Sequence, residues 1–199
     1  MLKTSCIAVA LISLAGTLSA QVEAPDTFKV NYYSNPIPDV YCDVTPDVPV
    51  VPDTTVRITN VGTQLGSKSD PSGNLCALIY VLQPDQELAE CCGCRITPDG
   101  LLTLSVSVDL TSNPLTAVKL TTGDIKIISS TSCNAAAPVP AAGIRAWATH
   151  LQNDGSTTET EFSDSTLSAG EMKRLASKCG AIFNNGSLFG QCVCPGGGV

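Results

Sequence analysis

Residues 102–109 alternate apolar and polar side chains, with Leu102, Leu104, Val106 and Val108 separated by Thr103, Ser105, Ser107 and Asp109. A strand sends successive side chains to opposite faces, so this run predicts a half-buried strand. The same period recurs at Phe28, Val30 and Tyr32 around Lys29 and Asn31, and at Val56 and Ile58 within Thr54 to Asn60. Cys76 to Leu82 is apolar at almost every position, which predicts a strand covered on both faces. Asp124 to Ser130, with Ile125, Ile127 and Ile128, predicts a further strand. Ile144 to Gln152 and Thr158 to Phe162 predict the arms of a hairpin, joined through Asn153-Asp154-Gly155. Turn residues at Asp70-Pro71-Ser72-Gly73, Pro84-Asp85 and Thr97-Pro98-Asp99-Gly100 separate these runs.

The period changes near the C-terminus. Met172, Leu175, Ala176, Cys179, Ile182 and Phe183 fall on one helical stripe. Ser168 and Glu171 have the spacing of a capping box, and Asn184-Asn185-Gly186 is a stop signal. The pattern therefore predicts a mainly β fold: an antiparallel β-sandwich-like domain with one C-terminal amphipathic helix near 168–184. The domain spans residues 54–194. Before it, residues 21–53 read as an extended arm containing Pro36, Pro38, Pro46, Pro49 and Pro52, since proline fixes φ and removes a donor. Asn134 to Ala142 reads as an Ala/Pro linker, and residues 195–199 as a disordered Gly-rich tail. No internal repeat is present.

The first 20 residues carry the features of a secretory signal peptide in order: Lys3, the apolar run Ile7 to Leu14, and the small-residue exit Gly16 to Ala20. The apolar run falls short of the roughly 20 residues a membrane span needs. After residue 20 the chain holds 18 acidic against 10 basic residues, a net charge of −8. An acidic surface repels nucleic acid and anionic lipid, which excludes both as main partners and predicts no membrane insertion after cleavage.

Nine cysteines follow residue 20: Cys42, Cys76, Cys91, Cys92, Cys94, Cys133, Cys179, Cys192 and Cys194. An oxidising compartment makes all nine disulfide candidates, with one left over. Eight cysteines allow 105 pairings and any of the nine can be the odd one, so about 945 schemes exist. Two local closures suggest themselves: Cys179 with Cys192 or Cys194, stapling tail to helix, and Cys76 with the Cys91–Cys94 cluster, closing a short loop. The cluster has a second reading as a thiol-redox or metal site, with Cys91, Cys92 and Cys94 as candidate ligands, because grouped thiolates bind soft metals and relay disulfides. Its spacing departs from repeated zinc pairs, and the chain has a single histidine.

Other candidate chemistry has an ordinary structural explanation beside it. His150, the sole histidine, lies next to a turn without a nucleophile-elbow motif, which points to a surface or hairpin histidine. Glu159 and Glu161 share one face of a strand; they suit a carboxylate hydrolase, and equally the solvated side of a hairpin with Arg145 across from them. Trp147 is either a sugar-stacking platform or core. Asp39, Asp43, Asp47 and Asp53 lack the spacing of a calcium loop. Asn185-Gly186-Ser187 is a formal glycosylation acceptor.

Asn31-Tyr32-Tyr33-Ser34-Asn35, Thr55 to Asn60, Leu75 to Cys94, Arg145-Ala146-Trp147 and Leu167-Ser168-Ala169-Gly170-Glu171 together resemble an uncharacterised group of secreted bacterial cysteine-rich proteins. The likeness covers most of the chain after residue 20 and implies secretion, with no activity or functional residue to transfer. The proline-rich stretch is longer here than in that group. The resulting expectation is a secreted or cell-surface protein that is not an enzyme, has no catalytic residues and no cofactor, and works in binding or assembly. Its partner is an extracellular or envelope ligand, or a second copy joined through the N-terminal arm or the odd cysteine. The alternatives are an extracellular thiol-redox or metal-binding protein and a small carboxylate-dependent hydrolase.

Overall fold

The computed structural model describes residues 26–35, 53–64, 66, 71–118 and 120–195. The expected signal segment 1–20, the proline-rich stretch 36–52 with Cys42, Asp39, Asp43 and Asp47, and the end of the Gly-rich tail lie outside the described residues. Nine strands and one helix follow in chain order: β1 Phe28–Ser34, β2 Thr55–Asn60, β3 Leu75–Leu82, β4 Leu88–Ile96, β5 Leu101–Ser105, β6 Thr122–Ser130, β7 Ile144–Leu151, β8 Thr157–Glu161, β9 Ser163–Ser165 and α1 Ala169–Asn184. They form two antiparallel sheets, one ordered β4-β3-β6-β1-β9 and the other β5-β2-β7-β8. The inner faces meet in a core that includes Val56, Ile58, Ile79, Val81, Leu104, Ile125, Ile127 and Ile144. The outer face of the first sheet is covered by α1, with Leu78, Tyr80 and Ile128 packed against Leu175, Cys179 and Ile182. Each of these side chains contributes roughly 1.5–3 kcal/mol on burial, and β3 contributes from both faces because all eight of its residues are buried.

The N-terminal arm is only partly an arm. Its first part, β1, lies between β6 and β9, with Phe28 opposite Ile128 on one side and Ser165 on the other. Phe28 and Tyr33 are buried, so removing them from the domain would expose apolar surface from both layers. Strand addition to another copy through Phe28–Val30 would therefore break pairing within the chain. Lys29 is also buried, and its ammonium bonds the carboxylate of Asp164 on β9. That hydrogen bond is the main cause holding the Asp164 carboxyl below its usual range.

The predicted hairpin is present as β7 and β8, with Asp154 Oδ1 accepting from Ser156 N at 2.9 Å and Gly155 at φ 83°. At Phe162, buried at the end of β8, the chain leaves the second sheet and continues as β9 in the first. The two sheets join at this corner. Tyr32 stacks on His150 with ring centroids 3.9 Å apart, Asn31 Nδ2 donates to Thr160 Oγ1 at 3.0 Å, and Ser34 Oγ donates to the Leu151 carbonyl at 2.8 Å.

Three expectations change. The strand beginning at Leu101 stops at Ser105, and Val106–Leu110 forms a π-helical turn that leaves Val108 exposed. Side chains compete with the sheet for the backbone here: Ser105 Oγ accepts from Val108 N at 2.8 Å, Asp109 Oδ2 from Ser105 N at 2.7 Å, and Asp53 Oδ1 from Ser107 N at 3.1 Å. The Ala/Pro segment is a cover rather than a linker, since Ala135 is buried, its carbonyl accepts from Tyr80 Oη at 2.7 Å, and Pro140 bridges to Ser130. The capping box is half formed. Ser168 Oγ accepts from Glu171 N at 3.1 Å, whereas the Glu171 carboxylate turns to Lys126 and Arg174. Those two cations hold the Glu171 carboxyl down at about 2.

Strand β4 is marked by no alternation in the sequence, yet it is buried along nearly its whole length. The Cys133 backbone crosses it at Gly93, where an added Cβ would lie 1.9 Å from the Cys133 carbonyl oxygen. Backbone cannot yield as a flexible side chain can. Gly93→Ala is expected to lower stability by about 3 kcal/mol, the upper part of the usual overpacking range, as read by the denaturant midpoint of the oxidised protein.

Candidate functional site: the β4 edge and its disulfides

Strand β4 is the free edge of the first sheet, and alternation along it decides where each cysteine points. Cys91 faces α1 and bonds Cys179, with Cα atoms 6.0 Å apart. Cys92 and Cys94 bond Cys192 and Cys194, with Cα separations of 5.3 and 5.4 Å. Cys76, on β3, bonds Cys133 at 5.1 Å and ties down the cover segment. Neither predicted local closure forms. Cys179 lies under Cys91 rather than beside the tail. Cys76 is registered against Arg95, with Cys92 and Cys94 on the other face of the sheet and Cys91 four residues further along β4. The eight described cysteines are all paired, so Cys42 is the odd one of the nine that follow residue 20.

The tail runs parallel to β4. Cys91 N donates to Gly190 O at 2.8 Å and Cys192 N to Cys91 O at 3.3 Å, which covers the first part of the edge. Two equal sequence separations of 100 residues then set Cys192 and Cys194 beside Cys92 and Cys94. Closing a loop of that length reduces the entropy of the unfolded chain by the equivalent of about 4.7 kcal/mol. The second bond adds much less. Once Cys92–Cys192 is closed, Cys94–Cys194 completes a ring of six residues, 92–94 and 192–194, for which the same relation gives about 2 kcal/mol. The sulfurs of Cys92 and Cys94 are 3.9 Å apart, and those of Cys92, Cys94 and Cys194 lie within 4.8 Å of one another. All three are disulfide-bonded, and a metal needs thiolates, so such a ligand set exists only after these bonds open.

Between the tail, the 132–134 loop and the end of α1 lies a cleft of about 940 Å³. Phe183, Leu188 and Val193 line its apolar side, Arg95 adds a cation, and Cys192 and Cys194 lie in its wall. Leu188 is 70% exposed and its neighbour Phe189 48%. Phe183 falls on the predicted helical stripe but looks into this cleft rather than the core, because the stripe turns past the sheet edge at the last turn of α1.

A buried carboxyl anchors the tail from beneath. Glu90, on the inner face of β4, has no solvent exposure. Its Oε1 accepts from Asn113 N at 2.8 Å, and Asn113 Nδ2 donates to the carbonyls of Leu188 at 2.6 Å and Gln191 at 3.4 Å. Gly190 N donates to Asn113 O at 2.7 Å, closing the connection. Burial pushes the Glu90 carboxyl up to about 8, outweighing the Asn113 N–H bond that favours the charged form. Among the described residues, Glu90 Oε2 and the Tyr33 hydroxyl have no hydrogen-bond partner. Burial raises the Tyr33 phenol, with the Glu90 charge as the next cause. The sequence does mark Glu90, as a lone acid inside the run Leu88-Ala89-Glu90-Cys91-Cys92, although nothing in that run points to Asn113 or Leu188.

The remaining candidates other than Asp53 lie on the β7–β8 hairpin, away from this cleft, and are divided between its two faces. His150 is buried, not at the surface: Nε2 is 2.7 Å from Thr160 Oγ1, Nδ1 has no partner among the described residues, and burial lowers the pKa. Glu159 and Glu161 are on the exposed face of the second sheet, where Glu159 pairs with Arg57 at 2.5 Å and Glu161 with Arg145 at 3.5 Å. Such exposed pairs each contribute under about 1 kcal/mol. Trp147, registered between Arg57 and Glu161, is half-buried on that same polar face and outside the core. Asp53 lies just before β2, and its carboxylate accepts from Ser105 Oγ and Ser107 N at the turn after β5. Among the described residues no helix is long and apolar enough to cross a membrane. Searches against protein-family models, curated proteins and solved structures find no match to this chain.

The Glu90 shift gives a pH dependence of definite sign. Between about 4.5 and about 8 the folded protein keeps a proton that the unfolded chain releases. Stability from this group is therefore complete below 4.5 and declines as pH rises through 8. Glu90→Gln keeps the acceptor for Asn113 N and has nothing to titrate. Thermal melts are expected to show wild type losing more stability from pH 5.5 to pH 8.5 than the variant.

Proposed function

We propose that the protein is an exported binding domain, not an enzyme, and that its ligand site is the cleft beside the β4–tail edge. The observation that carries this reading is the exposed apolar rim formed by Phe183 on α1, which Cys91–Cys179 ties to β4, and by Leu188 and Val193 on the tail, which two further disulfides tie to the same strand. A covalently held rim has little freedom left to lose, so a ligand meets apolar surface at small ordering cost. The ligand class that fits is an extended apolar peptide segment of an extracellular or envelope protein. The signal-peptide features of residues 1–20 and the four disulfides support a secreted or cell-surface location. The non-enzymatic reading draws support from the separation of His150, buried on the inner side of β7, from Glu159 and Glu161, which are exposed on β8 and paired to Arg57 and Arg145.

A peptide-display library selected on the oxidised protein tests the site. Enriched apolar peptides are expected to lose at least about tenfold in affinity with Leu188→Asp and to be unaffected by Arg57→Ala on the opposite sheet. Peptides that ignore Leu188→Asp and depend on Arg57 would contradict the assignment.

Cys42 gives this domain a route to self-association, because the eight described cysteines are occupied by one another. A non-reducing gel of the secreted protein is expected to show a disulfide-linked dimer that Cys42→Ser abolishes. A monomer with an alkylatable Cys42 would remove the covalent dimer from the proposal.

A further inference from the structure

Two disulfides that constrain nearly the same thing call for a reason other than stability, since Cys94–Cys194 closes only a small ring once Cys92–Cys192 is made. Their sulfurs are also close enough to exchange. Cys92 Sγ and Cys94 Sγ are 3.9 Å apart, and Cys194 Sγ lies within 4.8 Å of both. Two residues of strand rise, about 6.6 Å, fall inside the span of Cα separations that a disulfide accepts, roughly 4.4–6.8 Å. Gly93, between them, carries no side chain to resist the local adjustment. Access is uneven: Cys92, Cys94 and Cys192 are buried, whereas Cys194 is partly exposed and lines the cleft, as does the cation Arg95. A positive charge there favours an incoming thiolate.

We propose that Cys92–Cys192 and Cys94–Cys194 form a single thiol–disulfide exchange centre that oxidises a dithiol entering the cleft and releases the whole tail in one two-electron step. The inference goes beyond the binding reading and rests on the sulfur geometry and on the access that the cleft gives to Cys194. A thiolate of the dithiol attacks Cys194 Sγ, forming a mixed disulfide and expelling Cys94 as thiolate. The Cys94 thiolate attacks Cys92 Sγ, a Cys92–Cys94 bond forms, and Cys192 leaves as thiolate. The second thiol of the dithiol attacks its own sulfur in the mixed disulfide and expels Cys194, so that the dithiol departs as a disulfide. Two protein disulfides become one, the dithiol loses two electrons, and its two protons end on Cys192 and Cys194. Neither staple then holds the tail, although only one disulfide equivalent has been reduced.

The test uses the full-length oxidised Cys42→Ser protein, which has no intermolecular disulfide to compete, and dithiothreitol as the dithiol. One molar equivalent is added, thiols are trapped with N-ethylmaleimide, and the two-electron-reduced species is mapped without reduction. The expected species is labelled on Cys192 and Cys194, contains a Cys92–Cys94 bond, and has lost both tail disulfides together. Label on Cys94 and Cys194 with Cys92–Cys192 intact would show independent staples and overturn the proposal, as would first reduction at Cys76–Cys133 or Cys91–Cys179. Cys192→Ser gives a second measurement without added reductant. Exchange predicts that Cys194 is the free thiol and that Cys92–Cys94 is closed. A free Cys92 beside an intact Cys94–Cys194 bond would overturn the proposal.

Discussion

Strand β4 is the element on which the rest of the structure depends. It pairs with β3 along one edge and with the tail along the other, and it is anchored covalently in two directions. The alternation of a strand is the cause: Cys91 is directed at the helix layer, while Cys92 and Cys94 are directed away from it. One short run therefore ties the helix and the tail to the first sheet. An edge strand of this length would otherwise present unpaired backbone groups to solvent, and the tail covers part of them.

The same arrangement shapes the cleft. Burying the tail cysteines against β4 leaves the intervening Val193 pointing outward, and the loop before them displays Leu188 and Phe189. From beneath, Glu90 holds Asn113 and Asn113 holds the loop. The apolar rim is thus supported by covalent bonds on one side and by a buried hydrogen-bonded carboxyl on the other.

Much of the architecture was legible in the sequence. Alternation located β2, β5 and the β7–β8 hairpin, continuous apolarity marked β3 as doubly covered, and the stripe from Met172 to Ile182 located α1. What was not legible has identifiable physical causes. β4 carries apolar residues on both faces and a cysteine cluster that masks its strand character, so no period of two is visible. The turn after Ser105 is set by Ser105, Asp109 and Asp53, and Asp53 is distant in the chain. The disulfide pairing depends on which strand face each sulfur occupies, which sequence spacing does not report. His150 lies in the hairpin, one of its two expected settings, but its burial is not legible, because Tyr32 stacks on it from a strand of the other sheet. Glu90 was visible as a lone acid in an apolar run, but its partner Asn113 belongs to a loop that only the folded chain brings near.

The central claim is that β4 is the covalent hub of the fold. A non-reducing peptide map of the oxidised protein tests it most directly. The account predicts Cys76–Cys133, Cys91–Cys179, Cys92–Cys192 and Cys94–Cys194, with Cys42 outside this set. A Cys179 bond to Cys192 or Cys194, or a Cys76 bond into the β4 cluster, would contradict it.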